Sequence, residues 1–163
     1  MVNQSTSQLG YPKTFIATGW VWRYHQAMDN VIAHGVDMVD CARLAASVER
    51  FGQKFLDRVF TPGEQEYCKS RKKSKVQSLA GRFAVKEAVL KVIGTGWRDG
   101  IAWTDIEVRN EPSGQPVAHL HGRCLQIAQQ QGIGRVLVSI SHIQTHAIAS
   151  AIGLAANCDG SQT

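Results

Sequence analysis

Apolar positions along this chain change their spacing several times, and each change marks an element. Over residues 31–39 (Val-Ile-Ala-His-Gly-Val-Asp-Met-Val) they are β-branched and bounded by polar residues, which predicts a strand. From residue 42 to about 55 the spacing becomes helical, with Leu44, Val48, Phe51 and Phe55 on one face and Arg43, Arg50 and Lys54 among the exposed positions. Thr61-Pro62-Gly63-Glu64 carries three agreeing helix-start signals: a Thr N-cap, a Pro at the first helical position, and a Glu three residues after the Thr, as in a capping box. That helix runs into the basic stretch Lys69-Ser70-Arg71-Lys72-Lys73-Ser74-Lys75. Another helix follows and stops at Gly94-Thr95-Gly96, a good C-terminal signal.

The second half changes character. Residues 106–108 lie in a strand, 110–116 (Asn-Glu-Pro-Ser-Gly-Gln-Pro) form a turn, and 117–121 alternate as a strand. Residues 124–131 read as a short helix closed by Gly132, and 135–142 and 146–154 as two apolar strands. The order β-α-α-α-β-β-α-β-β predicts an α+β domain with a largely antiparallel sheet packed against helices. Residues 1–30 stand apart: a polar Ser/Gln-rich start leads to an aromatic stretch at 19–25 without clear periodicity. We therefore expect an N-terminal extension over 1–30, one domain over 31–154 and a C-terminal tail over 155–163.

Composition narrows this picture only a little. A length of 163 residues suits one domain, and 44% hydrophobic with 19% charged residues is ordinary for a globular chain. The net charge of +5 favours an anionic partner, which can be nucleic acid, a nucleotide or phosphate ligand, or an acidic protein. The cysteines at 41, 68, 124 and 158 form no Cys-x-x-Cys pair, which argues against a zinc knuckle or redox motif and fits free thiols in a reducing cytoplasm. No secretory signal and no apolar run of about 20 residues is seen, so the expectation is a cytoplasmic protein without a membrane partner.

The chemistry begins at residues 82–91 (Arg-Phe-Ala-Val-Lys-Glu-Ala-Val-Leu-Lys). On a helix the apolar residues go nearly all the way round, so the segment should be largely buried, yet it keeps four charges. They pair four apart, Arg82 with Lys86 and Glu87 with Lys91. Buried charge is costly unless it is paired or coordinates a ligand, so this helix should border a polar site. Asp37 is a second such residue, in an otherwise apolar strand. Two bland readings stand beside these: Asp37 as a strand-end or capping residue, and Glu87–Lys91 as an ordinary helix-stabilising pair. Taken together, two carboxylates from different elements and a lysine can hold one Mg²⁺ while phosphate oxygens complete its shell.

The motifs Gly35-Val36-Asp37-Met38-Val39-Asp40, Phe60-Thr61-Pro62-Gly63-Glu64, Gly81-Arg82-Phe83-Ala84-Val85-Lys86-Glu87-Ala88, Lys91, Gly94-Thr95-Gly96 and Val138-Ser139-Ile140-Ser141-His142 resemble the holo-acyl-carrier-protein synthases. These are the small, homotrimeric branch of the 4′-phosphopantetheinyl transferases. The resemblance covers about residues 31–154, and the 50-residue interval from Asp37 to Glu87 suits that branch. It implies transfer of phosphopantetheine from coenzyme A to a serine of apo-acyl carrier protein, with release of adenosine 3′,5′-bisphosphate. By the same resemblance Asp37 and Glu87 would be Mg²⁺ ligands, and Lys91 would contact the phosphates and assist proton transfer. Arg82 would face the nucleotide phosphates. Arg43, Arg50 and the helix around Phe51 would meet the acidic carrier. Lys72 and Lys73 would lie near the 3′-phosphate, with Gly94, Gly114 and His142 also in the coenzyme A site.

Plainer readings exist for several of these. The basic stretch can be a solvated loop, Gly114-Gln115-Pro116 a plain hairpin turn, and His142 a satisfied strand-end histidine. His142 and His146 stand four apart on strands, which makes no helical zinc pair. Residues 1–30 have no counterpart in the compact family pattern. Asp40 stands where the family often has Glu, and Cys41 where an aliphatic residue is common. The competing class is a non-catalytic basic binding module for coenzyme A or nucleic acid, but carboxylates at positions 37 and 87 would repel a phosphate backbone unless a metal intervened.

Overall fold

The computed structural model describes residues 30–156, apart from 97 and 99. The expected extension over 1–30 therefore lies almost wholly outside the described residues, as does the tail beyond 156. The chain runs β1 (Val31–Asp40), α1 (Cys41–Val59), α2 (Pro62–Ser70), α3 (Lys75–Val92), β2 (Ile106–Asn110), β3 (Pro116–Leu120), α4 (Gly122–Gln130), β4 (Ile133–His142) and β5 (His146–Ala155). A 3₁₀ turn at Trp103–Asp105 leads into β2. This is the element order read from the sequence. Most boundaries move by one or two residues; α1 runs about four residues further than read, to Val59, and the last strand ends at Ala155 rather than 154.

Strands β1, β5 and β4 form an antiparallel sheet in that order, and β2 pairs with β3 in a separate antiparallel hairpin. Helix α3 lies across the larger sheet and is the spine of the core. Val85, Ala88, Val89 and Val92 on α3 cluster with Ala149 and Ala151 of β5 and with Ile106 and Val108 of β2. A second cluster joins the start of α3 (Leu79, Ala80) to α1 and α2 through Leu44, Leu56, Phe60 and Cys68. Cys41, Cys68 and Cys124 are free thiols, all buried. Burial pushes the Cys68 thiol up to about 11 and the Cys124 thiol to about 12, so both are packing residues.

One expectation on α1 fails. Helical spacing puts Phe51 on one face with Leu44, Val48 and Phe55, but it is 52% exposed. Phe51 stands outside the cluster that packs Leu44, Val48 and Phe55, at the last position before Gly52, whose φ of 58° and ψ of −140° interrupt α1. Leu44 remains buried and Val48 and Phe55 partly so. The α2 start is as read: Thr61 caps the helix and the Glu64 carboxylate closes the box on the Thr61 amide at 2.8 Å. No described helix is long and apolar enough to cross a membrane.

Candidate functional site

Side chains alternate along β1, so residues 33, 35, 37 and 39 face α3 while 32, 34, 36, 38 and 40 face away. Gly35 makes the approach possible. A Cβ there would stand 2.2 Å from the Ala88 carbonyl oxygen and 3.0 Å from Lys91 Cβ, so only glycine lets the backbones come this close. Two residues on, Asp37 falls beside the same helix, in mid-strand opposite Ala149. It is not a strand-end cap. That task belongs to Asp40, whose Oδ1 accepts from the Arg43 amide at 2.9 Å. This amide hydrogen bond is the main reason the Asp40 carboxyl is held below its usual range.

Lys91 Nζ stands 2.9 Å from Asp37 Oδ1 and also donates to the Val36 carbonyl at 2.6 Å. Glu87 lies one turn earlier on α3. Asp37 and Glu87 line one open cleft of about 580 Å³, with Asp40 and Arg43 from the β1–α1 junction, Phe83 from α3 and His146 from β5. The Glu87 carboxyl is pushed above its ordinary range, first by burial and then by the negative charge of Asp37, with Lys91 opposing. Two carboxylates that burden each other across a cleft fit a hard divalent cation that takes the rest of its shell from phosphate and water. Among the described residues no group of three or more His, Cys, Asp or Glu side chains is placed to hold a metal.

The other end of α3 builds a second, smaller pocket of about 180 Å³. Arg82, Gly114 and His142 meet there, joined by Tyr67 and Asn110. Arg82 is only 4% exposed. Its Nη2 donates to Asn110 Oδ1 at 2.7 Å, and its guanidinium lies 3.9 Å from the centroid of the Tyr67 ring. Its Nε is buried without a hydrogen-bond partner. Asn110 in turn donates to the Gly114 carbonyl at 2.9 Å, which ties the turn to the pocket.

Several of the proposed site residues stay apart from these two concavities. Lys72 and Lys73 are exposed on the turn between α2 and α3. Gly94 closes α3 at φ 69° as a helix-ending glycine. Arg50 and Phe51 lie further along α1 on its exposed side, with the Arg50 guanidinium 5.0 Å from the Phe51 ring centroid. Lys86 departs most from the charge-pair reading of α3. It is fully buried 2.9 Å from the equally buried Glu64, and its ammonium also donates to the carbonyls of Trp103 and Ile106. Sequence reasoning treated Glu64 only as a cap, and it missed Tyr67, Asn110 and His146 as lining residues. A carboxylate kept at a cap beside a lysine on an otherwise apolar helix was the available signal for the buried pair. Tyr67 and Asn110 gave none.

Comparison with known proteins identifies the family and the fold. The profile of the 4′-phosphopantetheinyl transferase superfamily matches residues 33–149. A holo-[acyl-carrier-protein] synthase of Koribacter versatilis is 46% identical over 122 residues, which are 75% of this chain and 97% of that protein. The crystal structure of the holo-[acyl-carrier-protein] synthase of Neisseria meningitidis superposes with a TM-score of 0.67 at 31% identity, covering 76% of this chain and 98% of that one. The Helicobacter pylori enzyme, solved in complex with coenzyme A, gives a TM-score of 0.65 at 33% identity over 74% of this chain and 98% of that one.

Proposed function

The chain belongs to the 4′-phosphopantetheinyl transferase superfamily, among its holo-[acyl-carrier-protein] synthases, and we propose that it moves phosphopantetheine from coenzyme A to a serine of apo-acyl carrier protein in an Mg²⁺-dependent reaction. The observation that carries this reading is the cleft in which Asp37 and Glu87 face one another beside Lys91 and Arg43. Asp37 and Glu87 would hold the metal, whose part is to neutralise charge on the pyrophosphate of coenzyme A.

The remaining work falls to the chain's own groups. Lys91, released from Asp37 to a phosphate oxygen, would steady the charge that grows on the leaving group. Arg82, His142 and the turn at Gly114 would hold the nucleotide end, and Lys72 and Lys73 would add attraction for its phosphates. Arg43, Arg50 and Phe51 would receive the acidic carrier, with opposite charge steering the encounter and the exposed ring supplying contact area. The serine hydroxyl gives up its proton to a base or water in the cleft, and its oxygen forms a bond to the phosphorus that carries the pantetheine. The bond from that phosphorus to the bridging oxygen breaks, and adenosine 3′,5′-bisphosphate leaves.

A closed ring of three copies fits the same reading. The cleft and the second pocket share no lining residue, so one coenzyme A reaches both groups of residues most directly if neighbouring chains bring them together. Among the described residues nothing covers the outer face of the larger sheet, where Val36 and Met38 on β1, Ile148 on β5 and Leu137 on β4 are exposed. A solution mass of three chains by light scattering supports the ring, and a monomer that is fully active counts against it.

The direct experiment is the intact mass of apo-acyl carrier protein after incubation with this protein, coenzyme A and Mg²⁺, with an EDTA control. The expected result is a gain of one phosphopantetheine that EDTA prevents. A gain that EDTA leaves untouched would remove the metal from the reading, and no gain with any carrier would remove the transfer.

A further inference from the structure

We propose that Tyr67 is a positioning residue that, through Arg71 and Arg82, makes the second pocket prefer a nucleotide bearing a phosphate monoester over the same ligand without it. The inference rests on the coenzyme A reading above and refines it.

Tyr67 sits in the last turns of α2 and lines the pocket. Two guanidinium groups gather on it. Arg82 lies 3.9 Å from its ring centroid. Arg71, four residues on at the helix end, lies 4.9 Å from the same centroid and donates from Nη2 to the Tyr67 hydroxyl at 2.8 Å. Arg82 is fixed from the other side by Asn110.

Two arginines against one ring repel each other, and no carboxylate is among the described residues that line this pocket. The buried Arg82 Nε has no partner, although a buried donor left unmade is costly. These features make the pocket suited to an anion. Guanidinium forks held in fixed orientation suit a phosphate monoester, which offers several acceptor oxygens and up to two charges in a small volume.

Within the basic stretch this singles out Arg71. Lys72 and Lys73 are exposed cations on flexible stems, and they attract phosphate without orienting it. Arg71 alone is tied to the pocket, and the tie is the tyrosine hydroxyl.

Calorimetric titration with coenzyme A and with dephospho-coenzyme A, which differ only in the 3′-phosphate, tests the proposal. The unaltered protein should bind coenzyme A at least about tenfold more tightly. Tyr67→Phe removes only the bond to Arg71 and keeps the ring under Arg82. It should shrink that ratio several-fold, weakening coenzyme A much more than dephospho-coenzyme A. Tyr67→Leu also removes the ring and should weaken both ligands. A Tyr67→Phe variant that keeps the full ratio, or that loses affinity for both ligands equally, overturns the role of Tyr67. If the unaltered protein binds neither ligand, the coenzyme A reading itself falls.

Discussion

Two ion pairs hang from consecutive turns of α3, and they have opposite characters. Lys86–Glu64 is sealed: both side chains are fully buried, and the carboxylate also accepts from the amides of Thr61 and Val108. Lys91–Asp37 closes at the same 2.9 Å but is half open to water, with a cleft beside it and the unrelieved Glu87 next to it. The first pair has every group satisfied and nowhere for a ligand to enter. The second holds charge that a ligand can replace. Distance does not separate a structural pair from a functional one. Accessibility and the unmet demand around the pair do.

The contrast is sharpest if each pair is broken in turn. Glu64→Ala leaves a bare ammonium in the core, and unfolding in urea should show a loss of about 3–5 kcal/mol. Glu64→Met with Lys86→Met leaves no bare charge and should recover much of that loss. Recovery stays incomplete because the amides of Thr61 and Val108 lose their acceptor. A Glu64→Ala protein as stable as the unaltered one would show that the pair does not hold α2 and β2 to α3. In the open site the currency is rate: Glu87→Gln should lower turnover by about 10²–10³ with no loss of folding stability. Retention of full Mg²⁺-dependent turnover in that variant would sink the metal assignment.

How much of this contrast could be read beforehand follows from the kind of signal involved. The order of elements was legible because hydrophobic spacing is local, and the α2 start because all three cap residues sit within four positions. Asp37 and Glu87 were legible as a group through motif order, and both line one cleft; Arg43, read with Arg50 and Phe51 as a docking residue, lines that cleft as well. The fate of Lys86 was not legible, because its partner is 22 positions away and a lysine four residues from Arg82 looks the same whether it points to solvent or to a buried carboxylate. The outward turn of Phe51 was hidden for a different reason. Periodicity says which residues share a helix face, not how far the packing partner extends, and the cluster that takes Leu44, Val48 and Phe55 leaves Phe51 out.

A weaker contrast separates the cleft from the docking face of α1. Arg43 lines the cleft mouth, whereas Arg50 and Phe51 stand outside it. Arg43→Glu should raise the KM for carrier protein by about tenfold and the KM for coenzyme A much less, and added salt should narrow the difference. Equal rises in both constants would mean that Arg43 serves the nucleotide and not the carrier.

The smallest expected effect separates the two pairs by pH. Glu87 has a folded-state pKa above its ordinary 4.5, through burial and the charge of Asp37. A raised acid favours the folded state while protonated. Its contribution is therefore complete below about pH 4.5 and is lost as pH rises through the folded value. At pH 7 the ionised Glu87 is a burden on folding, and Glu87→Gln should melt about 1–3 °C higher than the unaltered protein. At pH 4 the two should converge, because both side chains are then neutral. Mg²⁺ binds the folded site through the charge that causes the burden, so it should raise the melting temperature of the unaltered protein at pH 7 and leave Glu87→Gln where it was. No such reversal is available to Glu64, whose carboxylate is consumed by Lys86 and two amides. A Glu87→Gln protein that melts lower at pH 7, with Mg²⁺ stabilising both forms equally, would place Glu87 with the structural charges of α3 and leave Asp37 without its proposed partner ligand.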